Sequence, residues 1–78
     1  MNPKFNKGDI IQRKYSGKQS LIKKIDLELK YYTLSDPDYP NSLQSADLPI
    51  FHVDAAYELI RHMDAEEFKE AMNRTLHS

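Results

Sequence analysis

Residues 19–35, QSLIKKIDLELKYYTLS, decide the fold because they hold two predicted strands in immediate succession. Aromatic and β-favouring side chains alternate through residues 28–35, and this alternation predicts a strand. Residues 19–26 predict another strand, joined to the first by a tight connection at Asp26-Leu27. Together they predict an antiparallel pair at the centre of a small β-sheet.

The strand predicted over residues 19–26 has an irregular apolar pattern. Ile22 and Ile25 are three residues apart, so in a regular strand they would point to opposite faces. A β-bulge near Lys23 and Lys24 brings both isoleucines to one face and bends the strand. A bent strand is what a small closed barrel requires.

A third strand precedes this pair. Residues 9–15, DIIQRKY, alternate in the manner of a strand, and Ser16-Gly17-Lys18 predicts a hairpin turn into residues 19–26. Before it, Asn6 to Asp9 has the composition of a turn, with Gly8 free to adopt a positive φ.

The second half of the chain predicts a loop, a strand, an ambiguous segment and a helix. Residues 36–48 contain two prolines and no apolar period, which predicts a long loop. Residues 49–54, PIFHVD, predict a fourth strand. The apolar spacing of residues 55–63 fits either a helix or a turn followed by a short strand. Residues 64–76 predict a helix.

The terminal helix has a start signal and an apolar face. Asp64 as N-cap and Glu67 three positions later form a capping box. Phe68, Met72 and Leu76 follow at intervals of four residues and form one face. The predicted elements give one small core, whose expected members are Phe5, Ile11, Ile22, Ile25, Tyr32, Leu34, Ile50 or Phe51, Val53, Leu59 and Phe68.

Composition limits the chemistry that the chain can support. The chain has 78 residues, 40% of them hydrophobic and 29% charged, which is the profile of a single soluble domain. It contains no cysteine, which excludes disulfides, zinc thiolates and cysteine nucleophiles. No apolar stretch has the length of a membrane span, and the first residues lack the apolar segment of a secretory signal. We therefore expect a cytoplasmic protein without membrane contact.

Charge is divided unevenly along the sequence. Residues 1–30 carry eight basic and three acidic side chains, a net +5, whereas residues 31–78 carry three basic and nine acidic ones, a net −6. Basic residues interleaved with aromatic ones are typical of nucleic-acid binding, although a solvated protein surface often has the same composition. The candidate binding surface consists of Arg13, Lys14, Tyr15, Lys18, Lys23, Lys24, Lys30, Tyr31 and Tyr39.

Catalytic and metal-binding patterns are weak in this sequence. His52 and Asp54 would share a face of the predicted fourth strand, where a partly exposed histidine beside an acid is the more common interpretation than a metal site. Glu66, Glu67 and Glu70 lie in the terminal helix, where a solvated face explains them. We expect no enzyme activity, no cofactor and no metal.

Several core and turn positions taken together resemble a known family. The pattern is Phe5-x-x-Gly8-Asp9-Ile10-Ile11, then Tyr31-Tyr32-x-Leu34, then Ile50-x-x-Val53-Asp54-x-x-Tyr57-x-Leu59. It resembles short uncharacterised proteins, common in bacterial and phage genomes, that form small SH3-like β-barrels. The resemblance covers residues 5–59 and implies a turn plus a short strand over residues 55–63.

The resemblance and the predicted elements together imply a mainly β fold. We expect one domain over residues 1–78, with an SH3-like barrel of about five short strands over residues 5–62 and a C-terminal helix over residues 64–76. The alternative is a four-stranded meander with two C-terminal helices. The family carries no shared catalytic residues, so its motifs imply a fold and not an activity.

The expected function is that of a non-enzymatic protein-interaction module, and the resemblance implies a phage- or mobile-element-borne protein that acts on a host protein. It would bind a protein partner, or a second copy of itself through an open strand edge. The alternative is nucleic-acid binding through the basic surface of the first three strands.

Overall fold

The chain forms one antiparallel sheet of five strands with two α-helices in a computed structural model that describes residues 2–41 and 45–74. The fold class is therefore mainly β. The sheet order is β4-β3-β2-β1-β5, so within these residues β4 and β5 each have a hydrogen-bonded neighbour on one side only. The elements are β1 (Asp9–Arg13), β2 (Gln19–Asp26), β3 (Tyr31–Ser35), β4 (Ser45–Pro49), α1 (Ile50–Ala56), β5 (Tyr57–His62) and α2 (Ala65–Asn73).

The predicted bulge in β2 is confirmed. Ile22 pairs with Leu34 of β3, but the next pair joins Lys24 to Thr33, so β2 has one extra residue at this point. The extra residue restores the phase of the isoleucines. Ile22 is fully buried, and Ile25 packs against the same core cluster.

The bounds predicted for the first and third strands, 9–15 and 28–35, are too long. β1 ends at Arg13, because a turn begins at the next residue. β3 begins at Tyr31, because residues 27–30 form a turn in which the Asp26 carboxylate accepts a hydrogen bond from the Leu29 amide at 2.8 Å. Lys30 has a φ of 61°, which ends the turn and starts the strand.

The prediction of a loop over 36–48 and a strand over 49–54 is wrong in part. Residues 45–49 form β4, and residues 50–56 form α1. In β4, Ala46 lies opposite Leu34 of β3, and Leu48 lies opposite Tyr32. Residues 42–44 of the predicted loop lie outside the described residues.

The helix α1 arises from a spacing that the strand prediction overlooked. Ile50, Val53 and Ala56 are three residues apart, and all three pack on the core, Val53 with no exposed surface. This spacing keeps them on one face of a helix. Pro49 immediately precedes the helix, where its missing amide hydrogen costs nothing.

Residues 57–62 form β5, which pairs with β1. The turn-plus-strand interpretation of residues 55–63 is thereby confirmed for these residues, and the four-stranded alternative is wrong. The pairing skips one residue, since Ile10 lies opposite Arg61 and Ile11 opposite Leu59. Ile60 is the extra residue of a second bulge.

The terminal helix is confirmed over Ala65–Asn73. Asp64 is its N-cap, and its carboxylate accepts a hydrogen bond from the Glu67 amide at 2.8 Å. The second half of the predicted capping box differs, because the Glu67 carboxylate accepts two hydrogen bonds from Arg61. Residues 75 and 76 of the prediction lie outside the described residues.

Buried side chains form two clusters, one on each face of the sheet, and not the single core that was expected. The larger cluster contains Phe5, Ile11, Ile22, Tyr32, Leu34, Val53 and Tyr57. The smaller cluster joins the sheet to α2 and contains Ile10, Leu21, Met63 and Ala71, with Phe68 packed against it. Of the alternatives Ile50 and Phe51, Ile50 packs on the core and Phe51 is exposed, and the expected member Leu59 is exposed too. Phe51 lies on the outer side of α1, and Leu59 lies at the bulge of an edge strand.

Candidate functional site

The β1–β2 hairpin fixes two cations side by side. The Arg13 amide donates a hydrogen bond to the Lys18 carbonyl at 2.9 Å, and the Gly17 amide donates one to the Arg13 carbonyl at 2.8 Å. Gly17 has a φ of 72°, which closes the turn. Residues opposite each other in an antiparallel pair project to the same face, so the Arg13 and Lys18 side chains lie on one side of the hairpin.

These cations lie at the mouth of a groove that we call the hairpin-end groove. It has a volume of about 410 Å³ and is lined by residues from all five strands. Its apolar lining includes Leu34, Leu48 and Tyr57. Its polar lining includes Arg13, Lys18, Gln19, Ser20, Ser35, Asp36 and Ser45.

Both edge strands contribute to this groove. Tyr57, which lies opposite Arg13, is the first residue of β5, and Leu48 belongs to β4. The larger core cluster lies on the same face, since Leu34 and Tyr57 belong to it and Leu48 packs against it. The groove therefore lies at the hairpin end of the face that carries this cluster.

One buried polar group next to the groove has no hydrogen-bond partner among the described residues, namely the hydroxyl of Ser35, which is only 4% exposed. Ser35 lies opposite Leu21 of the smaller cluster, so its side chain projects to the α2 face of the sheet and not into the groove. A buried hydroxyl without a partner costs about 1–3 kcal/mol. Neither Arg13 nor Lys18 forms an ion pair within 4 Å in the part of the chain that the structure describes.

Of the nine residues predicted as a binding surface, four belong to the first hairpin. Besides Arg13 and Lys18, these are Lys14 and Tyr15. Tyr15 is 95% exposed. The Lys14 ammonium donates a hydrogen bond to the Ala55 carbonyl at 3.3 Å, which ties the hairpin to the end of α1.

The other five predicted residues lie elsewhere. Lys23 and Lys24 lie at the β2 bulge, and Lys30 and Tyr31 lie at the opposite end of the sheet from the hairpin. Tyr39 lies after β3, in a segment that α2 holds, where Arg74 donates a hydrogen bond to the Asp38 carbonyl at 3.2 Å. The predicted surface therefore divides into separate regions.

The most tightly organised polar group of the core joins the N-terminal segment, β3 and α1. The Tyr32 hydroxyl donates a hydrogen bond to Asp54 at 2.7 Å and accepts one from the Phe5 amide at 3.2 Å. The other Asp54 oxygen accepts from the Lys4 amide at 3.2 Å. Burial raises the pKa of Tyr32 to about 12, and the hydrogen bond to Asp54 adds to the rise.

Two contacts between polar side chains involve the end of β5. Asp9, which is buried, lies 2.6 Å from the His62 imidazole and also accepts a hydrogen bond from the Asn6 amide at 2.8 Å. Arg61 lies 2.7 Å from Glu67 of α2. Its hydrogen bonds lower the pKa of Glu67, and the same contact raises the pKa of Arg61. Both pairs fasten β5 to its neighbours.

The residues considered for metal or acid–base chemistry are separated or engaged. His52 and Asp54 lie two positions apart on α1, where such residues do not face each other, so the shared strand face predicted for them is wrong. Within the described residues, no group of three or more histidine, aspartate or glutamate side chains is arranged to hold a metal ion.

The sequence interpretation missed two exposed apolar regions. Leu27 and Leu29 in the β2–β3 turn and Phe51 of α1 lie at the end of the sheet opposite the hairpin. Leu59 and Ile60 lie on β5 and are 54% and 44% exposed. A bulge re-aims one side chain of a strand, so two successive residues of β5 are both accessible. This second bulge could not be predicted, because Leu59 and Ile60 match a core pattern.

Comparison of the chain with protein-family models, with curated proteins and with solved structures found no match. None of the helices in residues 2–41 and 45–74 combines the length and the apolar character that crossing a membrane requires.

Proposed function

We propose that this protein is a non-enzymatic interaction module that binds a polypeptide segment along a free edge of its sheet. The observation that carries the proposal is the exposure of Leu59 and Ile60 on β5, an edge strand. Edge strands present unpaired backbone groups, and most proteins protect them with charged side chains or cover them. Two adjacent apolar side chains on such an edge favour contact with another chain.

We also propose that the sheet is a partly closed barrel of the SH3-like kind. Three features support this: the order β4-β3-β2-β1-β5, the bulge that bends β2, and the short helix between β4 and β5. The residues of both edge strands that line the hairpin-end groove support the same curvature. The resemblance to phage-borne proteins makes a bacterial host protein the expected partner.

The test compares the protein with Ile60→Lys and with the control Glu58→Gln. Both substitutions affect exposed side chains of β5, but only the first introduces a charge into the apolar pair. Each protein is immobilised and exposed to nuclease-treated bacterial lysate, and its self-association is measured by sedimentation equilibrium at about 100 µM.

We expect one protein, or a second copy of this chain, to bind the wild-type protein and the control but not Ile60→Lys. Two results contradict the proposal. One is retention of the same partner by all three proteins, and the other is a monomeric wild-type protein that retains no partner.

A second candidate function is binding of single-stranded nucleic acid at the first hairpin. One observation favours it: the almost fully exposed Tyr15 lies between basic residues that include Arg13 and Lys18. Exposed aromatic rings stack on bases, and cations contact phosphates. Affinity for a ten-nucleotide thymidine strand that falls steeply with salt concentration would support it.

A further inference from the structure

The structure assigns a second role to the hairpin-end groove: we propose that it binds the C-terminal carboxylate of a polypeptide whose last side chain is apolar. The inference rests on the proposed function, because the residues that precede this terminus would lie along the free edge of β5. It adds the chemistry by which the partner is recognised.

Charge in the groove favours a ligand with a single negative charge. Arg13 and Lys18 contribute two positive charges, and Asp36 contributes one negative charge. A polyanion such as a nucleic-acid strand would bring several phosphates next to Asp36. One carboxylate satisfies both cations without this repulsion, and arginine contacts carboxylates through two parallel hydrogen bonds.

The two cations also supply the hydrogen-bond donors that a carboxylate requires. The Arg13 guanidinium and the Lys18 ammonium both belong to the groove lining. A carboxylate provides acceptors for about four hydrogen bonds, which these two groups can share. A carboxylate bound between them would therefore be matched by both charge and hydrogen bonding.

The apolar lining favours a chain terminus over an internal acidic residue. Leu34, Leu48 and Tyr57 line the same groove as the cations. In an extended chain, successive side chains point to opposite faces, so a glutamate and its apolar neighbour would not enter one groove together. The last residue of a chain carries both its carboxylate and its side chain on the same Cα atom.

The location of the groove suits an approach along β5. Tyr57 is the first residue of this strand, and the exposed pair Leu59 and Ile60 follows after Glu58. A segment that lies antiparallel to β5, with its last residue beside Tyr57, would contact the exposed pair and end in the groove. Addition of a terminal strand to a sheet edge is an established mode of peptide recognition.

The experiment uses fluorescein-labelled heptapeptides, Gly-Ser-Thr-Val-Thr-Val-X, in which X is valine, leucine, isoleucine or phenylalanine. Each peptide is made with a free carboxylate and with an amidated terminus, and binding is measured by fluorescence anisotropy. The protein variants are Arg13→Gln with Lys18→Gln, and the matched control Lys23→Gln with Lys24→Gln, which removes the same charge outside the groove lining. Ile60→Lys is included.

We expect at least one free-carboxylate peptide to bind, and amidation to weaken its binding about tenfold or more. The Arg13 and Lys18 double variant should cause a similar loss. The Lys23 and Lys24 control should stay within about twofold of the wild-type protein. Unchanged circular dichroism spectra verify that the variants fold.

Three results overturn the inference. The first is equal binding of free and amidated peptides that is weakened only by Ile60→Lys. In that case the edge of β5 binds the peptide and the groove does not. Absence of binding by all free-carboxylate peptides up to about 1 mM also rejects the inference, while partner capture that depends on Ile60 would still support the proposed function. The third is binding of a thymidine strand and of no peptide. If this binding is lost in the Arg13 and Lys18 variant, the groove binds nucleic acid.

Discussion

Replacing Tyr32 with phenylalanine removes one hydroxyl from the centre of the core and leaves the ring in position. That hydroxyl donates to Asp54 at 2.7 Å and accepts from the Phe5 amide at 3.2 Å. A hydrogen bond to a charged acceptor contributes about 1.5–3 kcal/mol, and a buried amide left without a partner costs about 1–3 kcal/mol. We expect Tyr32→Phe to lower the free energy of unfolding by about 2–4 kcal/mol at pH 7.

This loss is large for a domain of 78 residues, whose total stability is roughly 4–12 kcal/mol. It corresponds to a fall in Tm of roughly 10–25 °C. The assay is urea unfolding followed by circular dichroism. The control is Tyr15→Phe, which changes a residue that is 95% exposed and should alter stability by less than about 0.5 kcal/mol.

The dependence on pH provides the sharper test. Burial raises the pKa of Tyr32 from 10.0 to about 12, so the folded state holds this proton more tightly than the unfolded state. The resulting stabilisation is complete below pH 10 and is lost as the pH rises towards 12. A shift of this size corresponds to about 3 kcal/mol. The difference in the free energy of unfolding between the wild-type protein and Tyr32→Phe should therefore decrease in that pH interval.

A stability difference between the two proteins that stays constant from pH 7 to about pH 11.5 would refute the reasoning. It would mean that Tyr32 ionises equally readily in the folded and the unfolded state. A Tyr32→Phe protein as stable as the wild type at pH 7 would refute the assignment of the hydroxyl as a structural link.

Two further predictions concern local geometry. Gly8 has a φ of 94°, and a Cβ atom there would lie 3.3 Å from the His62 ring, so Gly8→Ala should cost about 2 kcal/mol or more in urea unfolding. Gly17→Ala, with a φ of 72° but nothing within 4 Å, should cost only about 1 kcal/mol, and equal costs would contradict the role of the close contact. Asp64→Ala removes the N-cap of α2 and should lower stability by about 1 kcal/mol, with Asp64→Asn restoring most of it. If Asp64→Asn is as unstable as Asp64→Ala, the cap does not act through its hydrogen bond.

Local patterns were sufficient for the elements whose structure depends on their own residues. The bulge in β2 follows from the three-residue interval between Ile22 and Ile25, and the start of α2 follows from the capping side chain of Asp64. Both signals are carried within a few residues and are not altered by distant contacts.

The prediction failed where the neighbouring element determines the structure. Residues 45–49 become a strand because β3 offers a free edge, which Leu48 and Ala46 join opposite Tyr32 and Leu34. Nothing within those five residues marks a strand except this short alternation. The adjoining segment 50–56 satisfies a strand pattern and a helix pattern, and packing of Val53 on the core selects the helix.

The candidate site was only half accessible to prediction. Arg13 and Lys18 are visible as basic residues in a hairpin, and the structure gives them a common groove. Leu48 could not be assigned to that groove from sequence, because it belongs to a strand that was predicted as a loop. Net charge likewise cannot distinguish cations that share a groove from Lys23 and Lys24, which lie at the bulge.

The sheet order has a consequence for the way in which the chain folds. Three of its four strand pairings join consecutive strands, whereas the fourth joins β1 to β5 across most of the sequence. Closing that long segment carries the largest loss of chain entropy. The meander of β1, β2, β3 and β4 should therefore form first, and β5 should pair with β1 late. The reverse order applies to opening under native conditions. Transient release of β5, together with α2 through Arg61 and Glu67, would expose the smaller apolar cluster to solvent without global unfolding.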